Sequence, residues 1–173
     1  MGESLSRPEK RTSDPAWEVP GTGTEELVAE IRRAFSLPTI DPSQYSPLAL
    51  AYIGDNIYEL VNRTEMLSRG NRQAQKLHRD CAARANARFQ AAAILSLLPE
   101  LTEEEEAVYR RGRNAAVVTK AKNATIREYH EATGFEALIG YLYLQGRYAR
   151  LSELLRLAFA SGNGADRKKE LSE

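Results

Sequence analysis

The chain has 173 residues, with 24 lysines plus arginines balanced by 24 aspartates plus glutamates and a single cysteine. A domain of this length buries roughly two-thirds of its unfolded surface, so neither disulfides nor a structural metal is required to complete a core. The lone Cys81 excludes an intramolecular disulfide framework, no basic start followed by an apolar run opens the chain, and the longest apolar stretch, Ala137 to Leu144, is broken by Gly140 and far too short to cross a bilayer, so a soluble cytoplasmic protein is expected.

Residues 1–23 are rich in Ser, Pro, Gly, Thr and charge, with little apolar material to offset the entropy of ordering them. They read as a flexible tail. Thr24 can cap a short helix within 24–36, with Leu27, Val28, Ile31, Ala34 and Phe35 on one stripe. Ser36 to Tyr45 holds two prolines and reads as a linker, so residues 1–45 form an N-terminal extension. Ser46 followed by Pro47 is a cap and a first-turn proline. The helix they begin runs to about Leu67, with Gly70 just past its end. Its apolar residues (Leu48, Leu50, Ala51, Ile53, Ile57, Leu60, Val61) lie on nearly every side, the pattern of a buried helix. Asn71 can cap the next, alanine-rich stretch, which ends at Pro99. A break near Arg84 to Ala87 is compatible with it, but no residue marks one.

Thr102 and Glu105 form a capping-box pattern, and Gly112 can close the helix they start. Arg113 to Asn123 reads as a loop, Thr125 to Leu144 as a helix with a broad apolar surface, and Tyr148 to Ala160 as an amphipathic helix. From Ser161 the tail, residues 161–173, is polar and reads as loose. No strand pattern or internal repeat is found, and the expected class is all-α, with one helical domain at 46–160.

Two acids interrupt the most apolar helices. Asp55 lies in Ala51-Tyr52-Ile53-Gly54-Asp55-Asn56-Ile57, and Glu136 in Gly134-Phe135-Glu136-Ala137-Leu138-Ile139-Gly140. A buried ionised carboxylate needs a partner, either a basic side chain or a cation. Oxygen ligands favour magnesium or manganese. On spacing alone, an ordinary buried salt bridge with an arginine is the simpler account of the acids. Gly54 and Gly140 either let two helices approach closely or leave room for a metal and a phosphate, and Glu59, one turn beyond Asp55, is within reach of the same place. His78 and His130 make no metal-ligand spacing, so zinc is not expected.

Charge is unevenly spread. Ala107 to Arg127 carries Arg110, Arg111, Arg113, Lys120, Lys122 and Arg127 with no acid. This run, from Arg110 to Asn123, is the candidate for touching nucleic acid, with Asn114, Thr119 and Asn123 as further donors to sugar or phosphate. The run Arg69 to Arg88 is more scattered and reads largely as surface. Glu103 to Glu106 reads as the acidic first turn of a helix, complementing its dipole.

Leu50-Ala51-Tyr52-Ile53-Gly54-Asp55 resembles the nuclease signature of the ribonuclease III family, and Phe135-Glu136-Ala137-Leu138-Ile139-Gly140 resembles its second acidic motif. Between them, Glu103-Glu104-Glu105-Glu106-Ala107-Val108, Arg111-Gly112-Arg113-Asn114-Ala115 and Lys122-Asn123 resemble the Mini-ribonuclease III branch, which has the nuclease domain without a separate double-stranded-RNA-binding domain. The resemblance spans about Ser46 to Ala160. It implies a helical-bundle homodimer with one site per subunit, cutting double-stranded RNA with magnesium, or manganese in its place. Asp55 and Glu136 would be catalytic metal-holding acids, with Glu59 supporting them. Arg110, Arg111, Arg113, Asn114, Lys120, Lys122 and Asn123 would contact RNA. The natural target implied is precursor ribosomal RNA of the large subunit. Ala51 and Thr133 stand where typical members carry two further acids. A catalytically inactive RNA-binding module on the same fold is the alternative.

Overall fold

The computed structural model describes residues 26–116 and 124–170. Seven α-helices are found among them and no strand: α1 (Glu26–Ala34), α2 (Pro47–Ser68), α3 (Ala74–Arg84), α4 (Ala87–Leu97), α5 (Glu103–Ala115), α6 (Ile126–Leu144) and α7 (Tyr148–Glu170). None is long and apolar enough to cross a membrane.

The helix starts are set by local chemistry. At α2 the Ser46 hydroxyl accepts from the Ala49 N–H at 3.1 Å, and Pro47 occupies the first turn, where its missing N–H costs nothing. At α5 Thr102 and Glu105 satisfy one another's orphan N–H groups, as the sequence pattern predicts. Thr125 and Glu128 do the same at α6. α3 and α4 are separate helices, and Asn86 makes the break. Its Oδ1 accepts from Phe89 N–H at 2.9 Å while its amide donates to the Ala83 carbonyl at 2.8 Å, so one side chain closes α3 and opens α4. Between α6 and α7, Gly146 adopts φ +72°, and Arg147 N–H returns to the Leu142 carbonyl at 2.9 Å.

α6 is the axis of the bundle; α2, α4, α5 and α7 all pack on it. From Glu131 to Tyr143 every side chain but that of Glu136 is buried. Tyr58 meets Phe135 and Phe159 edge to face at 6.0 and 5.6 Å, joining α2, α6 and α7. α2 departs from the expectation of a helix buried all round. Leu48, Tyr52, Leu60 and Leu67 are exposed along one side of it, because helices cover only its other side.

Three further expectations change. α5 does not stop at Gly112 but runs to Ala115, so Arg113 and Asn114 are helical rather than in a loop. A Cβ at Gly112 would lie 2.5 Å from the Ala137 Cβ and 3.0 Å from Gly134 Cα; the glycine serves helix contact, not termination. α7 continues past Ala160 to Glu170. Glu103 to Glu106 is more than a dipole complement. Glu105 is fully buried and accepts from Arg150 at 2.9 Å, from Arg147 at 3.2 Å and from Thr102 N–H at 3.0 Å. Burial pushes its carboxyl up, but the Arg150 hydrogen bond, the Thr102 N–H and the two arginine charges outweigh that and hold it below the usual range. Glu104 accepts from the Tyr141 hydroxyl at 2.6 Å and pairs with Arg147.

Candidate active site

The site is built on a crossing of two helix backbones. A Cβ added to Gly54 on α2 would fall onto the Glu136 carbonyl, 2.7 Å from its carbon and 2.9 Å from Gly140 N. One added to Gly140 on α6 would fall onto the Leu50 carbonyl, 2.9 Å from its carbon. Real Cβ atoms do not approach backbone that closely, so only glycine permits this approach. Of the two roles open to these glycines, close helix contact is the one realised. Asp55 follows Gly54 directly, and the crossing brings its charge within electrostatic reach of the Glu136 carboxyl.

The electrostatics are those of an uncompensated pair. Glu136 is half-buried; burial first, then the negative charge of Asp55, push it up to about 8, while a hydrogen bond from the Gln90 side chain pulls it down. Asp55 is exposed, yet enough protein flanks its carboxyl that partial desolvation, followed by the charge of Glu59, raises it too. Among the described residues no lysine, arginine or histidine pairs with either acid, in contrast to Glu105. Glu59 is felt by Asp55 but is itself taken by Arg63 at 2.6 Å. No group of three His, Cys, Asp or Glu side chains converges on one point among the described residues.

The sequence reading missed Gln90, on α4, which is only 3% exposed. A lone glutamine in an alanine-rich helix carries little signal; only the packing of α4 on α6 gives it a meaning.

The basic candidates divide. Arg110, Arg111, Arg113 and Asn114 lie on the last turns of α5, and Gly112 among them packs on Thr133, Gly134 and Ala137. That basic end therefore lies alongside the turn of α6 that carries Glu136. Arg110 pairs with Glu106 at 2.6 Å, Arg113 sits over the Tyr109 ring at 5.9 Å, and Arg111 is exposed with no ion pair among the described residues. Lys120, Lys122, Asn123 and Thr119 lie outside the described residues. In the second basic run, Arg84 is buried. It pairs with Glu65 at 3.1 Å and stacks 4.8 Å from the Phe159 ring. Arg69 and Arg72 are likewise paired, with Glu65 and Asp80.

The Ribonuclease III domain model matches residues 48–147, a stretch that holds Asp55, Gln90 and Glu136. The Mini-ribonuclease 3 of Brevibacillus brevis is 44% identical over 126 residues, covering 73% of this chain and 94% of that protein. The chain belongs to the ribonuclease III family, in its Mini-ribonuclease III branch. The Symbiobacterium thermophilum Mini-ribonuclease 3 is 48% identical over 118 residues, covering 68% of this chain and 91% of its own. A crystal structure of a Fusobacterium nucleatum protein, 31% identical, superposes with a TM-score of 0.63 and covers 68% of this chain and 93% of that one. The all-α bundle is therefore the ribonuclease III nuclease fold, and the protein is a ribonuclease of that type.

The raised Glu136 carboxyl has a consequence for stability with a definite sign. The folded, metal-free protein keeps a proton on Glu136 from about 4.5, where an unperturbed glutamate ionises, up to about 8. Its contribution to stability is complete below the lower value and is lost as pH rises through the upper one. Melting of the metal-free protein, compared with Glu136→Gln at each pH, is expected to fall behind the variant between about pH 5 and 9. Parallel profiles for the two proteins would mean that Glu136 carries no such penalty.

Proposed function

We propose that the chain is a magnesium-dependent endoribonuclease that hydrolyses phosphodiester bonds in double-stranded RNA. Asp55 and Glu136 are its metal-holding acids, and it acts as a homodimer with one site per subunit. The observation that carries this reading is the acid pair: two carboxylates from different helices, brought together at a glycine crossing, with no cationic side chain among the described residues to neutralise them. Such a donor set fits magnesium or manganese, hard cations that take one or two protein carboxylates and keep several waters. When bound, the ion lowers the pKa of a water, orients it and stabilises charge on the phosphate oxygens.

The chain's own residues do the rest. Asp55 and Glu136 supply the negative charge; neither need carry a proton to or from the substrate. Arg111 and Arg113, with Arg110 exchanging Glu106 for a phosphate, lie along the sugar–phosphate backbone, and Asn114 donates to sugar or phosphate oxygens. Lys120, Lys122 and Asn123 extend the same track in sequence. Duplex RNA is recognised mostly by shape across its shallow minor groove, and a basic helix end beside the acids suits that. Leu48 (41% exposed), Tyr52 (78%), Leu60 (54%) and Leu67 (60%) offer a second copy an apolar face on the helix that bears Asp55. The natural substrate, on the family's pattern, is precursor ribosomal RNA of the large subunit.

Incubating the purified protein with a duplex RNA at low salt tests the reading. Cleavage with magnesium, none with a chelator, and none of the separated strands is the expected result. Binding of the duplex without cleavage in magnesium or manganese would leave an inactive RNA-binding module instead.

A further inference from the structure

Two buried glutamates are each met by two arginines, in different ways. Around Glu105, on α5, Arg147 and Arg150 approach to 3.2 and 2.9 Å and donate hydrogen bonds. Around Glu131, on α6, Arg113 and Arg127 stop at 3.9 and 4.0 Å from Oε1. At that range the charges attract, but the contact is too long for a hydrogen bond. The other carboxylate oxygen, Oε2, is anchored by the Tyr109 hydroxyl, which donates to it. The Glu131 side chain is 5% exposed, whereas those of Arg113 and Arg127 are 41% and 80% exposed. A buried, anchored carboxylate thus turns one oxygen toward two cations that stand in solvent.

The tyrosine does not call for an acid. A glutamine carbonyl would accept the same hydrogen bond, without the desolvation cost of a buried charge. The negative charge acts on the arginines instead. They come from different helices, Arg113 from the last turn of α5 and Arg127 from the first turn of α6. Without a shared counter-charge they would repel one another and sample many rotamers, a freedom that a ligand must then remove. Glu131 gathers them in one place and leaves their N–H groups for a second anion, and a phosphate matches the guanidinium fork. Glu131 lies five residues before Glu136, about 7.5 Å along the axis of α6 and roughly 140° around it. The gathered pair therefore lies to one side of the acids, where it meets phosphates flanking the one being cut.

We propose that Glu131, anchored by Tyr109, is a positioning residue for RNA: it holds Arg113 and Arg127 together as one phosphate-binding pair, and Arg127 joins the residues that contact the duplex. Glu131 itself touches neither RNA nor metal. This rests on the reading of the basic end of α5 as the face that meets RNA.

The test uses the full chain and duplex RNA in chelator, where binding is read without cleavage, with kcat, KM and melting taken alongside in magnesium. Glu131→Gln keeps an acceptor for Tyr109 and removes the charge. Counting charge alone, losing a negative group from a basic face tightens RNA binding. A positioning role predicts the opposite sign: binding about fivefold weaker, the scale of ordering one or two long side chains at an interface, with KM raised to match and kcat unchanged. Arg127→Gln should weaken binding and lower its logarithmic salt slope by about one. With Arg113→Gln and Arg127→Gln both in place, adding Glu131→Gln should change nothing more. Side-chain NMR relaxation of the wild type needs no variant: the Arg127 Nε should be more ordered in the free protein than that of Arg111, which is exposed with no ion pair among the described residues. An Arg127 as mobile as Arg111 overturns the proposal. So does a folded Glu131→Gln that binds duplex as tightly as wild type or more so, whether or not it melts earlier, since a glutamate serving only the fold would behave that way. A Glu131→Gln loss that persists without the two arginines overturns it as well. If Arg113→Gln and Arg127→Gln each bind duplex like wild type, the RNA-facing reading of this end falls too; if they bind weakly while Glu131→Gln does not, only the role of Glu131 falls.

Discussion

Asp55→Asn and Glu136→Gln are each expected to cut duplex-RNA cleavage by about a hundredfold or more, the scale at which losing one stabilising group in a preorganised site is felt. Binding of the duplex in chelator should stay within about twofold, because neither acid adds to the phosphate-neutralising charge. Both replacements keep the shape of the side chain and remove a negative charge. In the metal-free protein that charge is a burden: Glu136 is desolvated and repelled by Asp55, and no cation of the chain relieves it among the described residues. Glu136→Gln is therefore expected to melt higher than wild type at alkaline pH without metal, while being nearly inactive with it. A structural salt bridge would behave in the opposite way, since breaking a buried pair destabilises strongly. Gain of stability with loss of activity marks a residue kept for chemistry. Gel-based cleavage, RNA binding and melting on the same preparations check it; loss of RNA binding in proportion to cleavage would contradict the assigned roles.

What was legible in the sequence follows the range over which each signal acts. Caps are local, so Ser46-Pro47 and the Thr102–Glu105 box place the starts of α2 and α5 directly. The same local rule applies at Thr125–Glu128 and at Asn86, where it went unread. Long-range facts behave differently. α2 looks apolar on nearly every side and α6 over a broad surface, yet only α6 is surrounded, because burial depends on how many helices settle around an element and not on its own residues alone. Gly112 resembles a terminator in sequence and is a contact point in space. Which of four consecutive glutamates turns inward is fixed by the register from Thr102, but Glu105's partners, Arg147 and Arg150, lie on the far side of α6 in sequence. Arg84 looks like one more surface cation until Glu65 and Phe159 close around it. At the site, the two acids could be picked out as misfits in apolar helices. Gln90 could not, since its meaning lies wholly in the carboxylate it meets.

The acid pair depends in turn on the glycine crossing, which makes Gly54→Ala the most damaging small substitution expected outside the acids. The added methyl would meet the Glu136 backbone, which cannot swing aside as a side chain can. α2 and α6 must separate or slide, and overpacking of this kind costs about 1–3 kcal/mol or more. Displacing Asp55 from Glu136 by about 1 Å is enough to cost about a hundredfold in rate. The variant is therefore expected to melt earlier and, well below its melting temperature, to cleave at about one hundredth of the wild-type kcat or less. Gly70→Ala separates the two effects. Gly70 has φ +137° but nothing within 4 Å of an added Cβ, so alanine there strains the turn after α2 without touching the crossing. It should lose stability and keep kcat. Cleavage rates taken at a temperature where both variants are folded decide the matter. A Gly54→Ala protein that turns over like Gly70→Ala would show that the helices can part without separating the acids, and that the crossing does not set the site.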